Sequence, residues 1–348
     1  MATTYAIPDG RVAMAATLYT GTGGTVNVSN AVNGVSFQPD FVWIKNRGYA
    51  QSNTLYDSVR GVYNVLVSNS TVAEDAETAN HGLSAFASNG FTLSGETVNQ
   101  GGVNTSPYNY VGWQWKAGGT AVSNTAGSIT SSVSANTTAG FSVVTCTTQA
   151  SGTATVGHGL GVAPSLIIQK IRTLAADWYV YNVSIGAGNI LKLNTTDASA
   201  AASTIWNSTA PTSTVFSLGN GWAGSYSTVA YCFAPVAGYS AFGSYTGNGS
   251  ADGPFVYLGF RPRFVIVKSS SGVADWFEYD TSINAYNQVS TWLRPDYSGP
   301  EVTNTAQAID IVSNGFKLRG SDTGVNANGG TFIYMAFAET AFKFANAR

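Results

Sequence analysis

The apolar residues of this chain come in short runs of Val, Ile, Phe, Tyr and Thr, each closed by Gly, Asn, Ser or Pro. No apolar stripe persists with the 3.6-residue period of a helix, so the pattern predicts strands throughout. Three of the runs are nearly one phrase: PDFVWIK at 39–45, PSLIIQK at 164–170 and PRFVIVK at 262–268. Each begins on a proline, which suits the first residue of a strand because no ladder donor is needed there. Each continues as an unbroken apolar run, so these strands are expected to be covered on both faces or to lie mid-sheet. The stretch TVAEDAETANHG at 71–82 is the one ambiguous segment and admits a short helix.

Counted from each proline, the likeness extends far beyond the phrase. At +6 stand Lys45, Lys170 and Lys268; at +18 stand Asp57, Asn182 and Asp280, each preceded by a tyrosine; at +25 stand Asn64, Asn189 and Asn287. Phe91, Phe216 and Phe316 follow, each two residues before a leucine. Related strands open the units (LYTGTG at 18–23, VTCTTQ at 144–149, SYTGNG at 244–249) and close them (YVGWQW at 110–115, TVAYCF at 228–233, YMAFAE at 334–339). Anchors held in register three times predict tandem repeats of about 100 residues, too long for solenoid repeats and better read as domains. The expected units are 1–118 with a short leader, 119–238 with a linker, and 239–348. The Ser/Thr/Gly/Ala-rich stretch 117–140 reads as a linker or as a strand with loops. About ten strand-like runs per unit fit two stacked antiparallel sheets, so the expected fold is all-β: three tandem β-sandwich, or jelly-roll, repeats.

Composition narrows the function classes. The chain has 348 residues, 44% apolar and only 10% charged, with a formal charge of −2. A typical soluble domain carries roughly 25% charged residues, so hydroxyls and amides must cover this surface. No Lys/Arg cluster exists to neutralise phosphates, which argues against a nucleic-acid partner. No apolar run approaches the roughly 20 residues of a membrane-spanning helix, and no signal peptide is read at the start. Cys146 and Cys232 show no metal-ligand spacing and are expected as buried free thiols, with a disulfide as the alternative.

Catalytic chemistry is sparse. His81 and His158 have no partner at metal-ligand spacing, and no nucleophile elbow, phosphate loop or calcium loop occurs. No catalytic residue, metal or cofactor is therefore expected, although two distant carboxylates could converge as in a glycosidase. The hairpin from +6 to +18 is expected to place its lysine beside the returning Asp or Asn near the loop end. Lys45–Asp57, Lys170–Asn182 and Lys268–Asp280 then read as partly buried pairs that fix register, with a ligand role as the other reading; an exposed pair would contribute only about 0–1 kcal/mol. Trp178 and Trp276, both at +14, read as core anchors or as stacking surfaces. The loop AYNQVSTWLRPDYSG at 285–299 interleaves Tyr286, Trp292, Arg294, Asp296 and Tyr297 with polar residues. With Trp276 it is the candidate ligand-binding surface, for a sugar ring or a protein.

The phrases PDFVWIKNRG, DSVRG (57–61), SNGFTL, VGHGLGVAP (156–164), YLGFRPRFVIVK (257–268), SNGFKLR and GGTFIYMAFAETAFKFANAR (329–348) resemble a family of repeat-bearing bacteriophage proteins of marine and cyanobacterial phages. The resemblance covers nearly the whole chain. It implies concanavalin/laminin-G-like β-sandwich modules and a virion structural role at the particle surface, as tail fibre, tail accessory or capsid decoration. It further implies other virion proteins as partners and a homo-oligomer, with a trimer expected. Contact with host-surface glycans is the associated binding role, and a virion-associated polysaccharide depolymerase is the enzymatic alternative. The middle repeat departs most, with Asn182 in place of aspartate.

Overall fold

The computed structural model describes residues 6–76, 81–95 and 102–338. The protein is all-β, with only short helical turns such as Ser203–Trp206 and Thr323–Asn326 between strands. Three groups of strands follow one another, and each contains four corresponding strands in the same order within its larger sheet. In the first group the order is Met14–Thr20, Asn109–Trp115, Phe41–Asn46, Thr54–Asp57. In the second it is Phe141–Thr147, Ser227–Phe233, Leu166–Ile171, Tyr179–Asn182, and in the third Ser240–Thr246, Thr331–Ala338, Pro262–Ser269, Trp276–Asp280. The strand carrying the recurrent phrase is always third, bonded antiparallel to the closing strand on one edge and to its own return strand on the other.

A smaller sheet faces each larger one. It is built from Val26–Ser29, Gly90–Leu93 and Leu83–Ala87 in the first group, and from Ala154–Gly157 and Val215–Leu218 in the second. In the third it is built from Phe255–Tyr257, Gly315–Leu318 and Ile309–Val312. A β-carbon on Gly90 or Gly315 would run into the carbonyl of Val28 or Val256 on the adjacent strand, which is why both Asn-Gly-Phe phrases need glycine there. The stretch 117–140 resolves into strands: Val122–Asn124 and Ser131–Asn136 lengthen the second group's larger sheet. The short helix admitted at 71–82 does not form in its described part; Asp75–Ala76 is a strand paired with Asn64–Val67. Residues 77–80 of that stretch lie outside the described residues.

The unbroken apolar phrase follows from the packing. Side chains alternate across a strand, and here both faces are covered. Val42 and Ile44 enter a cluster confined to the first group, Ile167 one confined to the second, and Val265 and Val267 one confined to the third. On the opposite faces Phe41, Trp43, Leu166, Ile168, Phe264 and Ile266 meet in a single cluster drawn from all three groups. Trp115, 1% exposed, sits among rings from every group: Phe41 at 5.3 Å, Phe233 at 6.4 Å, Phe264 at 5.8 Å and Phe337 at 5.7 Å between centroids. The chain thus has three private cores and one common core.

Truncating a large core aromatic costs about 3–5 kcal/mol. Trp115→Ala should lower the stability of all three groups together, seen as one calorimetric transition shifted down. Two resolved transitions in the variant, with one unshifted, would show that the common core does not couple the groups.

Candidate functional site

The anchors singled out in the sequence converge on the seams between the groups. Lys45, Lys170 and Lys268 are fully buried, and each ammonium donates to two carbonyls. One is its own, at +12: Gln51 at 2.6 Å, Ala176 at 2.6 Å and Ala274 at 2.6 Å. The other belongs to a neighbouring group: Ser298 at 2.7 Å for Lys45, Thr71 at 2.9 Å for Lys170 and Thr196 at 2.9 Å for Lys268. The first group thereby holds the third, the second holds the first, and the third holds the second, so the ring closes. Backbone bonds repeat the pattern: Glu74 N–H donates to the Arg172 carbonyl, Ser199 to Ser270 and Glu301 to Arg47. Burial lowers Lys45 to about 7, with Glu278 opposing, and lowers Lys170 and Lys268 to about 8, with Asp177 and Asp296 respectively opposing.

The expected lysine–acid pairs do not form, and the strand register explains why. Asp57 lies opposite Phe41, Asn182 opposite Leu166 and Asp280 opposite Phe264. The lysine is four residues further along, about 13 Å at 3.3 Å per residue. It stands at the loop end of the hairpin, and the acid or amide stands at the other end. There the +18 side chain does two jobs. One oxygen accepts from the backbone N–H two residues on: Val59 at 3.1 Å, Ser184 at 2.8 Å and Ser282 at 2.6 Å. The other reaches across a seam, Asp57 Oδ2 accepting from the Tyr231 hydroxyl at 2.8 Å and Asp280 Oδ2 from Trp113 Nε1 at 2.7 Å.

In the third seam the donor's place is taken by Met335, which lies opposite Ile266 as Tyr231 lies opposite Ile168 and Trp113 opposite Trp43. The position facing it is Asn182, and the two side chains line one small cavity with Leu166, Ile168 and Trp276. The amide Nδ2 of Asn182 is buried without a hydrogen-bond partner. Aspartate occurs where a donor faces it and asparagine where a thioether does, because an unpaired buried carboxylate costs far more than an unpaired amide.

The candidate ligand loop at 285–299 is largely a seam as well. Asn53 Nδ2 donates to the carbonyls of Arg294 and Tyr297, each at 3.0 Å, and Ser68 Oγ to that of Pro295 at 2.6 Å. Arg47 pairs with Glu301 at 2.7 Å. Trp276 is buried, its Nε1 donating to the Lys192 carbonyl at 3.1 Å, just as Trp178 Nε1 donates to Val67. Trp292 is buried edge-on to Phe277, and Arg294 pairs with Asp275 and lies over the Tyr297 ring at 4.1 Å. Of the loop's aromatics Trp292 is buried, while Tyr297 beneath Arg294 and Tyr286 are exposed, at 49% and 84%. Sequence reasoning also missed Glu278, which is 1% exposed with both carboxyl oxygens unpartnered. Burial drives its carboxyl well above the ordinary range against the opposing field of Lys45, with Asp296 and Asp280 adding to the rise. Burial and the Asp275 charge raise Asp296 to about 7, although its Oδ1 accepts from the Trp276 N–H.

His158 is buried, with Nε2 on the Thr212 carbonyl at 3.1 Å. Cys146 and Cys232 are both free thiols. Among the described residues no group of three or more His, Cys, Asp or Glu is placed to hold a metal, and no helix is long and apolar enough to cross a membrane.

Fold and seams together define an all-β protein of three strand groups locked around a common core. Residues 12–341 match the model of a domain of unknown function, DUF7483, and the chain belongs to that family. No curated protein and no solved structure matches the chain.

Two outcomes follow from these charges and contacts. Asn182→Asp alone should destabilise by about 2 kcal/mol or more through an unpaired buried carboxylate, and adding Met335→Tyr should recover part of that loss as a favourable coupling in denaturant unfolding. Additive effects would deny the cross-seam bond. Asp296 has a folded pKa of about 7, above its ordinary 3.8. Its contribution is complete below about pH 4 and lost as pH rises through 7. Urea midpoints from pH 4 to 8 should fall more steeply in the native chain than in Asp296→Asn; parallel curves would contradict the assignment.

Proposed function

We propose that this chain is a non-enzymatic bacteriophage structural protein exposed on the particle as tail fibre, tail accessory or capsid decoration, built from three tandem copies of one β-sandwich unit. The observation that carries the reading is the recurrence of seam chemistry in three groups that share one four-strand order. The lysine at +6, the backbone acceptor at +8 and the side chain at +14 recur at equal offsets, while their partners from the neighbouring group lie four residues later in the third group. Several of the chain's few charged groups reach across the seams, which suits a rigid assembly element. The resemblance to phage repeat proteins supplies the setting. The expected homotrimer would be a trimer of these rings, with other virion proteins as neighbours and host-surface glycans as the outward contact.

The depolymerase reading needs two carboxyl groups open to a sugar chain. The clearest perturbed carboxyls, Glu278 and Asp296, lie in a seam, and Glu278 is closed to solvent, which favours the structural reading. Antibody against this chain should label the surface of purified phage particles in electron micrographs. Its absence from purified particles would reject the proposal, and steady release of reducing sugar from host polysaccharide by the purified chain would replace it with the enzymatic one.

A further inference from the structure

The outer face of the third group's small sheet differs from its two counterparts. Val28, Val156 and Val256 occupy one position, each paired with the inward phenylalanine of the neighbouring strand (Phe91, Phe216, Phe316). The residues flanking that valine point outward. In the first group they are Asn27 and Ser29, and in the second Thr155 and Gly157. In the third they are Phe255 and Tyr257, 47% and 67% exposed. Two rings thus stand where the other groups carry Asn, Ser, Thr and Gly.

Register places polar groups beside them. Phe255, Lys317 and Asp310 form one cross-strand row, and Tyr257, Gly315 and Val312 the next. Lys317 Nζ pairs with Asp252 at 2.7 Å, and Arg319 with Asp310 at 3.2 Å. At the far edge of the same sheet the Asn287 side chain bonds the Ile311 backbone in both directions at 2.9 Å, which sets the exposed Tyr286 on that border.

We infer that Phe255 and Tyr257 form a binding site for a neutral glycan. A pyranose ring has an apolar C–H face that covers an aromatic side chain, while its equatorial hydroxyls require donors and acceptors around the rim. Two cations and two anions, paired and summing to zero, supply both kinds without a net field. That balance disfavours nucleic acid or another polyanion, which needs uncompensated cations. It also disfavours a dry protein contact, whose centre is depleted of charge. The inference deepens the glycan contact in the proposed function and rests on that reading for its biological setting.

The test is affinity electrophoresis of the purified full chain through native gels containing dextran, galactomannan or laminarin, with polygalacturonate as the acidic control. At least one neutral polymer should retard the chain, and added salt should leave the retardation unchanged. Phe255→Asn with Tyr257→Ser, the residues of the first group, should weaken it about tenfold, the equivalent of about 1.4 kcal/mol, at an unchanged melting temperature. Asp252→Asn, a change at an exposed side chain, should weaken it less and serves if the double variant misfolds. Migration unaffected by every neutral polymer, equal retardation of native and variant chains, or retardation by polygalacturonate alone would each overturn the inference. So would concentration-dependent self-association that the double variant abolishes, since the face would then serve a second copy of the chain. Particle labelling is independent: a chain found on virions that binds no neutral polymer loses this site and keeps the structural role.

Discussion

Three buried ammonium groups hold this protein together. Bringing one lysine out of water costs several kcal/mol, and only close, well-directed oxygens offset that. Each receives two carbonyls at 2.6–2.9 Å, one from its own hairpin loop and one from the loop of a neighbouring group. The second carbonyl exists only when the groups are assembled, so a separated group would leave its lysine half-satisfied. Directional bonds of this kind set where the groups meet. The common core of Trp115 and the rings around it supplies the non-directional attraction that keeps them there.

The ring is regular in position and uneven in chemistry. At +14, Trp178 and Trp276 send an indole N–H to a neighbouring carbonyl, while Asn53 does the same work with its amide. The first seam carries an arginine–carboxylate network, in which Arg60 joins Asp57 and Glu74 while Arg172 reaches Glu74 from the second group. The second-to-third seam has a small cavity lined by Asn182 and Met335. The third-to-first seam has the buried acid Glu278 beside Lys45. The three strand groups share the backbone geometry of the seams and differ in the side chains that fill them.

Much of this was legible before the structure. The all-β class, the burial of the phrase on two faces and the importance of +6, +14 and +18 follow from alternation and recurrence. The partners of those positions were not legible. Lys45 and Asp57 look close when counted along a hairpin, yet the register puts them at opposite ends, and register is settled by cross-strand pairing rather than by spacing. The loop at 285–299 shows why composition misleads for surfaces. Trp292 and Arg294 have the makeup of a contact patch, but the fold presses their backbone against Asn53 and Ser68. Phe255 and Tyr257 drew no notice, because an aromatic on a strand reads as core until the facing residue is known.

The sequence by itself determined which phrases and anchor residues recur at fixed offsets, because period and offset are properties of the string. Only the tertiary structure decided that the three strand groups face inward and that their lysines serve a neighbour's loop. The reason is physical: a buried ammonium is indifferent to the identity of the residue offering a carbonyl. The backbone oxygens of Ser298, Thr71 and Thr196 carry no mark in the sequence, and their role arises from where the chain brings them.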